Sequence, residues 1–374
     1  MTSPGSARTY GFGVVGCGVI GPRHAEVADA LPNARFVACT DVVPDRAKAL
    51  AEAHGGDFEP DLEALLSRDD VDVVSVCVPS GLHAEVGVQV AEAGKHLVVE
   101  KPIDISLAAA DRLVGAVKKA GVKMTVISQH RFDPGLVELR QMLDAGRLGR
   151  LVLGDARVKW YRTQAYYDSG DWRGTWALDG GGALMNQGVH YTDLLRWCMG
   201  PVDEVMALTA TEAHKMETED LALAVMRFSS GALGTLEAST AVFPGFRERL
   251  EISGTEGTVV VEDGRIVVRE FASEHGDVGL YGARVGSEAK DAAASGASDP
   301  AAISNDAHAS QVSDLLAAID EGREPLMTGE EARNAVELVL AVYESARRRG
   351  PVSLPLSRAR YAPAGASKRS RTRP

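Results

Sequence analysis

The sequence predicts an α/β protein of two domains, a doubly wound parallel sheet followed by an α+β domain on a large, mainly antiparallel sheet. Three observations predict it. The chain has 374 residues, more than one hydrophobic core usually organises. From Tyr10 to about Ser128 short β-branched runs alternate with helical stretches, the pattern of βαβ units. After about residue 145 the later strands are joined by tight turns instead of crossover helices.

The strands expected in the first half are Phe12 to Val15, Phe36 to Thr40, Val71 to Val78, His96 to Val99 and Lys123 to Ile127. All are apolar enough to be covered on both faces, as parallel strands are. Helices are expected from Asp61 to Leu66, Leu82 to Ala93 and Ser106 to Ala120, with Gly94 and Gly121 where a helix end favours glycine. In the second half Leu221 to Phe228, the Ser229-Ser230-Gly231 turn and Ala232 to Ser239 read as a hairpin. A second ladder runs from Leu250 to Glu270, punctuated by Glu256-Gly257 and Asp263-Gly264, and Arg150 to Trp160 and Val205 to Thr211 join the same sheet. Residues 274–304, rich in Ala, Gly, Ser and Asp, are expected to be a flexible surface loop. Two amphipathic helices, Asp306 to Glu321 and Gly329 to Arg348, close the fold. The expected domains are residues 1–128 and 129–358, followed by a disordered tail from 359 to 374.

Composition narrows the function. Hydrophobic residues make up 45% and charged residues 25% of the chain, ordinary for a globular protein. A formal net charge of -12 argues against nucleic acid, whose binding needs a concentrated field of Lys and Arg. The basic cluster Lys368, Arg369, Arg371 and Arg373 is expected to be a solvated end without function. Cys17, Cys39, Cys77 and Cys198 lack CxxC spacing and suggest neither a metal site nor a disulfide framework. No apolar run approaches the roughly 20 residues that span a bilayer, and no apolar leader is seen, so the expected location is the cytoplasm.

Gly16-Cys17-Gly18-Val19-Ile20-Gly21 follows the first strand and opens a helix. In that context a GxGxxG cradles a pyrophosphate: Gly16 makes the tight turn, Gly18 admits the ligand to the backbone, and Gly21 packs helix on strand. Asp41 ends the second strand about 20 residues on, where a carboxylate accepts hydrogen bonds from the adenosine ribose. The first domain therefore reads as a Rossmann fold. Asp41 would repel a 2′-phosphate, so NAD is preferred to NADP, although Arg46 nearby leaves NADP open. Pro79 and Ser80, in the loop after the third expected strand, are expected to line the cofactor.

With Glu100-Lys101-Pro102 after the next expected strand, the chain resembles the Gfo/Idh/MocA family of sugar and cyclitol oxidoreductases. A second signature carries the same resemblance: Trp172-Arg173-Gly174-Thr175 and the run from Gly180 through Asn186 and His190 to Asp193 are similar to the family's glycine-rich entry to its catalytic helix. His308 with Gln311 and Tyr343-Glu344-Ser345 also fit. The resemblance implies a large, mainly antiparallel C-terminal sheet that commonly forms oligomers, here a homodimer or homotetramer, and a cofactor cleft between the domains. It also implies that Lys101 and His190 face the nicotinamide. Many relatives have Asp where this chain has Asn186, a variant that resembles members acting on nucleotide-linked or other glycosides.

Oxidising a secondary alcohol needs a base for the hydroxyl proton while hydride leaves the carbon, and imidazole titrates near neutrality. His190 is the candidate base, and Lys101 would stabilise charge on the reacting oxygen and assist the proton. Asn186, one helical turn before His190, would hold a substrate hydroxyl or the nicotinamide ribose. Asp193 would either orient His190 or pair with a neighbouring helix. Tyr161, Arg162, Tyr166, Tyr167, Trp172 and Arg173 form a dense aromatic and basic stretch, which suits sugar faces and their hydroxyls or phosphates; Arg162, Trp172 and Arg173 are substrate candidates. The expected function is an NAD(P)-dependent dehydrogenase or reductase of a sugar, glycoside, nucleotide sugar or cyclitol. The alternatives are a redox-neutral NAD-dependent glycosidase and a dinucleotide-sensing regulatory protein, the latter disfavoured because a sensor needs neither Lys101 nor His190.

Overall fold

The computed structural model describes residues 8–275 and 305–356. Residues 276–304 of the expected loop, and the expected tail, lie outside the described residues. The chain forms two compact units: 8–129 with 305–333, and 130–275 with 334–356.

The first unit is built on a parallel six-stranded sheet. Strands β1 (Tyr10–Val15), β2 (Ala34–Thr40), β3 (Asp57–Phe58), β4 (Val73–Val76), β5 (His96–Val99) and β6 (Met124–Val126) lie in the order β3-β2-β1-β4-β5-β6. The order reverses between β1 and β4, and open α/β sheets bind ligands at the carboxyl ends of strands there. The crossovers are α1 (Gly21–Ala30), α2 (Pro44–His54), α3 (Leu62–Leu66), α4 (His83–Glu92) and α5 (Leu107–Ala120). Local chemistry ends them: Asp61 and Ser106 accept from the N–H groups of Ala64 and Ala109, and Gly55 and Gly121 close α2 and α5 in the left-handed conformation. The strand β3 is absent from the expected set because two residues at a sheet edge carry no readable periodicity.

The second unit begins with α6 (Pro134–Asp144) and β7 (Leu151–Lys159), then the short α7 (Gln164–Asp168). Next come a π-helical turn, Ala183–Gly188, and α8 (Val189–Met199). The chain then runs through β8 (Val202–Ala210), β9 (Leu221–Phe228), β10 (Leu233–Ser239), β11 (Arg249–Gly254), β12 (Gly257–Glu262) and β13 (Arg265–Phe271). The helix α9 (Asp306–Glu321) belongs to the first unit, where Val312, Leu315 and Leu316 join the core around Tyr10, Phe12 and Phe36. After α10 (Gly329–Arg348), β14 (Val352–Ser353) completes an eight-stranded sheet in the order β13-β12-β11-β7-β10-β9-β8-β14.

That sheet is antiparallel except for the pair β7 and β10. One face is buried through alternate residues such as Ala156, Leu236, Met226 and Val205, and α8 lies against it. Helix and strand meet closely at Gly154, where a Cβ would stand 2.7 Å from Met199. The opposite face presents Met206, Leu208, Leu223, Val225 and Leu233, all exposed among the described residues.

Candidate active site

At the carboxyl end of β1 the glycine loop is shaped by close approaches. Gly16 has φ +92°, and a Cβ there would stand 2.5 Å from the carbonyl oxygen of Cys77; one on Gly21 would stand 2.4 Å from that of Gly16. Only glycine fits either place. Beside Gly18 nothing lies within 4 Å of the position a Cβ would take, and Val19 is 91% exposed. Ile20 precedes α1 without capping it by a side chain; Pro22 has no N–H and the Arg23 N–H bonds the Ile20 carbonyl at 3.1 Å, so the Gly21 N–H, at the positive end of the helix dipole, is the one the first turn offers an anion. Asp41 accepts from the N–H groups of Cys17 at 2.6 Å and Val43 at 2.7 Å, so its carboxylate is anchored beside the loop. Open backbone at Gly18, an uncapped helix start and a fixed acid fit a dinucleotide.

The neighbouring strand tips are tied together. The ring nitrogens of His83 contact the carbonyl oxygens of Val78 at 2.8 Å and Pro102 at 2.6 Å, joining the loop of Pro79 and buried Ser80 to that of Lys101. Glu100 is buried; its carboxylate meets Nε2 of His24 at 2.9 Å and accepts the N–H of Lys101 at 3.1 Å. Burial alone would raise the Glu100 carboxyl, but His24, with His308 and Lys101, holds it well below the usual range. Glu100 thus fixes the loop from which the half-buried Lys101 projects.

In the second unit Asn186 lies in the π-helical turn and His190 in the first turn of α8, in place of the single α-helix expected through both. Asn186 Nδ2 donates to Oδ1 of buried Asp179 at 2.9 Å, whose Oδ2 accepts the Gly174 N–H at 2.9 Å. His190 is half-buried, with the ring of His130 edge-on to it at 5.2 Å. Asp193 pairs with a neighbouring element: Arg131 donates to it through Nε at 2.8 Å and Nη2 at 2.5 Å.

Within the aromatic and basic stretch, Arg162, Tyr166, Trp172 and Arg173 stack together with Trp160, while the Tyr161 ring meets Phe243 and that of Tyr167 meets His214. The Arg162 guanidinium lies 4.6 Å from the Trp160 ring centre and 5.5 Å from that of Tyr166. Arg173 lies 4.5 Å from Tyr166 and 4.6 Å from Trp172, and donates to the Tyr166 hydroxyl at 2.9 Å. Gln187 Nε2 donates to that same hydroxyl at 3.1 Å, linking the stack to the residue after Asn186. Burial lowers the pKa of Arg162, and Arg173 adds to the effect. Asp179 and His130 escaped the motif reading, and Gln187, inside the motif, was given no role, because their signal is contact across the fold and not spacing.

Two family profiles match the chain: "Oxidoreductase family, NAD-binding Rossmann fold" over residues 10–128 and "GFO/IDH/MocA C-terminal domain" over residues 136–260. A myo-inositol 2-dehydrogenase of Thermotoga maritima is 30% identical over 282 residues, covering 72% of this chain and 80% of that protein. An inositol 2-dehydrogenase of Rhizobium meliloti is 26% identical over 92% of this chain and 99% of its own. Among solved structures, the WlbA dehydrogenase from Bordetella pertussis in complex with NADH and UDP-GlcNAcA superposes with a TM-score of 0.81 at 33% identity, over 94% of this chain and 100% of that one. The chain therefore belongs to the Gfo/Idh/MocA family of oxidoreductases, with residues 10–128 as its NAD-binding Rossmann fold.

Proposed function

We propose that the protein is an NAD-dependent dehydrogenase of a secondary hydroxyl on a sugar that carries an anionic group, a uronate or a nucleotide-linked sugar. The observation that carries the substrate class is the pair of guanidiniums, Arg162 and Arg173, placed over one tyrosine, Tyr166. An anion placed beside the two guanidiniums is attracted by both. Arg173 makes no ion pair among the described residues; its hydrogen bond goes to a phenol. The WlbA dehydrogenase, whose structure contains UDP-GlcNAcA, supports the same class. Trp172, stacked on Arg173, supplies an aromatic face for the sugar.

In this reading His190 accepts the hydroxyl proton through an imidazole nitrogen, and the Lys101 ammonium stabilises the charge gathering on that oxygen. Asn186, whose Nδ2 donates to Asp179 at 2.9 Å and whose Oδ1 accepts from Gln187 Nε2 at 3.4 Å, would take a substrate hydroxyl through that same oxygen's second lone pair. Gly16, Gly18, Val19, Ile20 and Gly21 would hold the pyrophosphate, Asp41 the adenosine ribose, and Pro79, Ser80, Glu100 and Lys101 the walls beside it. NAD, when bound there, supplies the hydride acceptor. Asp41 favours NAD over NADP, since a carboxylate anchored by two N–H groups would repel a 2′-phosphate.

Two further parts of the reading have separate support. The exposed apolar face of the second unit's sheet suits a homodimer or homotetramer, because an open antiparallel sheet leaves one face to cover. Four buried free thiols suit the reducing cytoplasm, and no helix of the described residues is long and apolar enough to cross a membrane.

The test is NADH absorbance at saturating NAD across uronates, nucleotide sugars, neutral sugars, glycosides and cyclitols, with Lys101→Ala and His190→Ala alongside. Reduction with an anionic sugar, lost in both variants, is the expected result. Turnover of neutral cyclitols alone would reject the substrate class; cleavage of a glycoside with no net NADH would indicate the redox-neutral glycosidase.

A further inference from the structure

We propose that Glu219 is a positioning residue for this reaction, holding in place the segment that carries Asn186 and His190. The proposal rests on the reading of His190 as the base. The first N–H groups of a helix have no partner within it, and something must accept from them. The segment entering at Gly182 has no side-chain cap of its own. Instead, Glu219 and Tyr343 take four successive N–H groups: Gly182 donates to Oε2 of Glu219 at 2.9 Å, Ala183 to its backbone oxygen at 2.9 Å, Leu184 to Oε1 at 2.8 Å, and Met185 to the Tyr343 hydroxyl at 3.2 Å. That hydroxyl donates in turn to Oε1 of Glu219 at 2.9 Å, so Glu219, through its carboxylate and its backbone oxygen, closes the whole set. Asn186 is the next residue.

The glycines of the entry are shaped to this clamp. A Cβ on Gly181 would stand 2.2 Å from the Tyr343 hydroxyl, and one on Gly182 would stand 1.8 Å from the backbone oxygen of Glu219. Neither neighbour can withdraw without opening a hydrogen bond, so the backbone is held against both. Glu219 is 4% exposed, and a carboxylate so placed is a costly way to fill space. It persists where the charge is used, here to accept from two N–H groups and one hydroxyl at once. Trp176 packs edge-on against the Tyr343 ring at 5.4 Å.

Burial pushes the Glu219 carboxyl up to about 7, against the N–H groups and Tyr343, which favour the ionised form. The titratable groups whose charges act with it are Tyr343 on α10 and Tyr167 on α7, while the carboxylate of the adjoining Asp220 is taken by the N–H groups of Glu212, Ala213 and His214. A protonated carboxyl gives up one acceptor position and loosens the clamp.

The experiment compares wild type, Glu219→Gln, Tyr343→Phe and His190→Ala by steady-state kinetics against pH and by amide hydrogen exchange over 182–185. Glu219→Gln is expected to lower kcat about ten-fold near pH 8.5, with KM for NAD unchanged and exchange at 182–185 accelerated. The ratio of wild type to Glu219→Gln should shrink toward one near pH 5.5, where the wild-type carboxyl is itself neutral; a merely structural glutamate would leave the ratio constant. Unchanged kcat and exchange in Glu219→Gln, with His190→Ala inactive, overturns the proposal. An active His190→Ala instead overturns the reading of the base. If Glu219→Gln does not fold, Tyr343→Phe decides: about a three-fold loss of kcat with faster exchange at Met185 supports the clamp, and wild-type values overturn it.

Discussion

The rings of His130 and His190 meet edge to face, their centroids 5.2 Å apart and their planes at 82°. His130 is itself held through Nδ1 by Asp133 at 2.7 Å. Burial works against a charge on His130, but Asp133, with Glu248 and Asp263, outweighs burial and raises its pKa. A proton held on His130 in this way would place a positive charge against the His190 ring.

His130→Phe keeps a ring and removes the charge. If a proton on His130 opposes one on His190, the acid limb of kcat/KM is expected to move upward by about half to one pH unit. A pH profile from 5 to 9 checks this; a limb that stays put or moves down would separate the two rings functionally.

Arg131 and Asp193, 1% and 2% exposed, form a two-pronged pair beneath α8. Asp193→Ala leaves a guanidinium buried against the Trp197 ring without its carboxylate. The expected loss is about 3–5 kcal/mol in urea unfolding. A loss below about 1 kcal/mol would show the site open to water.

Glu219 links stability to pH. Its folded pKa, about 7, lies above the ordinary carboxyl value of 4.5, so its favourable contribution is complete below pH 4.5 and is lost as pH rises through 7. Glu219→Gln removes that titration. The stability of the variant relative to wild type should therefore rise by roughly 1–3 kcal/mol between pH 4.5 and 8. Parallel curves across that range would place the carboxyl's titration outside it.

Asp41→Ala removes the acid anchored by the Cys17 and Val43 amides. NAD affinity should fall about ten- to hundred-fold, and NADP should be excluded less strongly. Fluorescence titration with both dinucleotides measures it; equal affinity for NAD in the variant would remove Asp41 from the cofactor site.

Arg173→Met keeps most of the side chain's packing on Trp172 and Tyr166 and removes its charge. For an anionic sugar KM should rise about thirty-fold or more, while a neutral cyclitol is affected only a few-fold. Equal effects on both would make Arg173 a packing residue.

Much of the fold was legible in the sequence, because periodicity and turn chemistry act within a few residues. The parallel strands, the hairpin turning at Ser229-Ser230-Gly231 and the bounds of α9 and α10 all follow from such local signals. So does the dinucleotide loop, where Gly16, Gly18 and Gly21 each meet a local steric demand and Asp41 lies one βαβ unit away. The π-helical turn at Ala183–Gly188 was not legible, since the local pattern there is also that of an α-helix.

What the sequence by itself determined is therefore the fold class, the family and the candidate residues. The tertiary structure alone decided how those residues are held. Arg131 reaches Asp193 across 62 positions, and Tyr343 reaches Met185 across 158. It also decided that α9 returns to the first unit's core and that Glu219, which has no motif spacing, caps the segment bearing Asn186. A residue's neighbours in sequence set its backbone conformation, whereas a buried polar group is satisfied by whichever distant partner the topology brings within about 3 Å, and no local pattern records that choice.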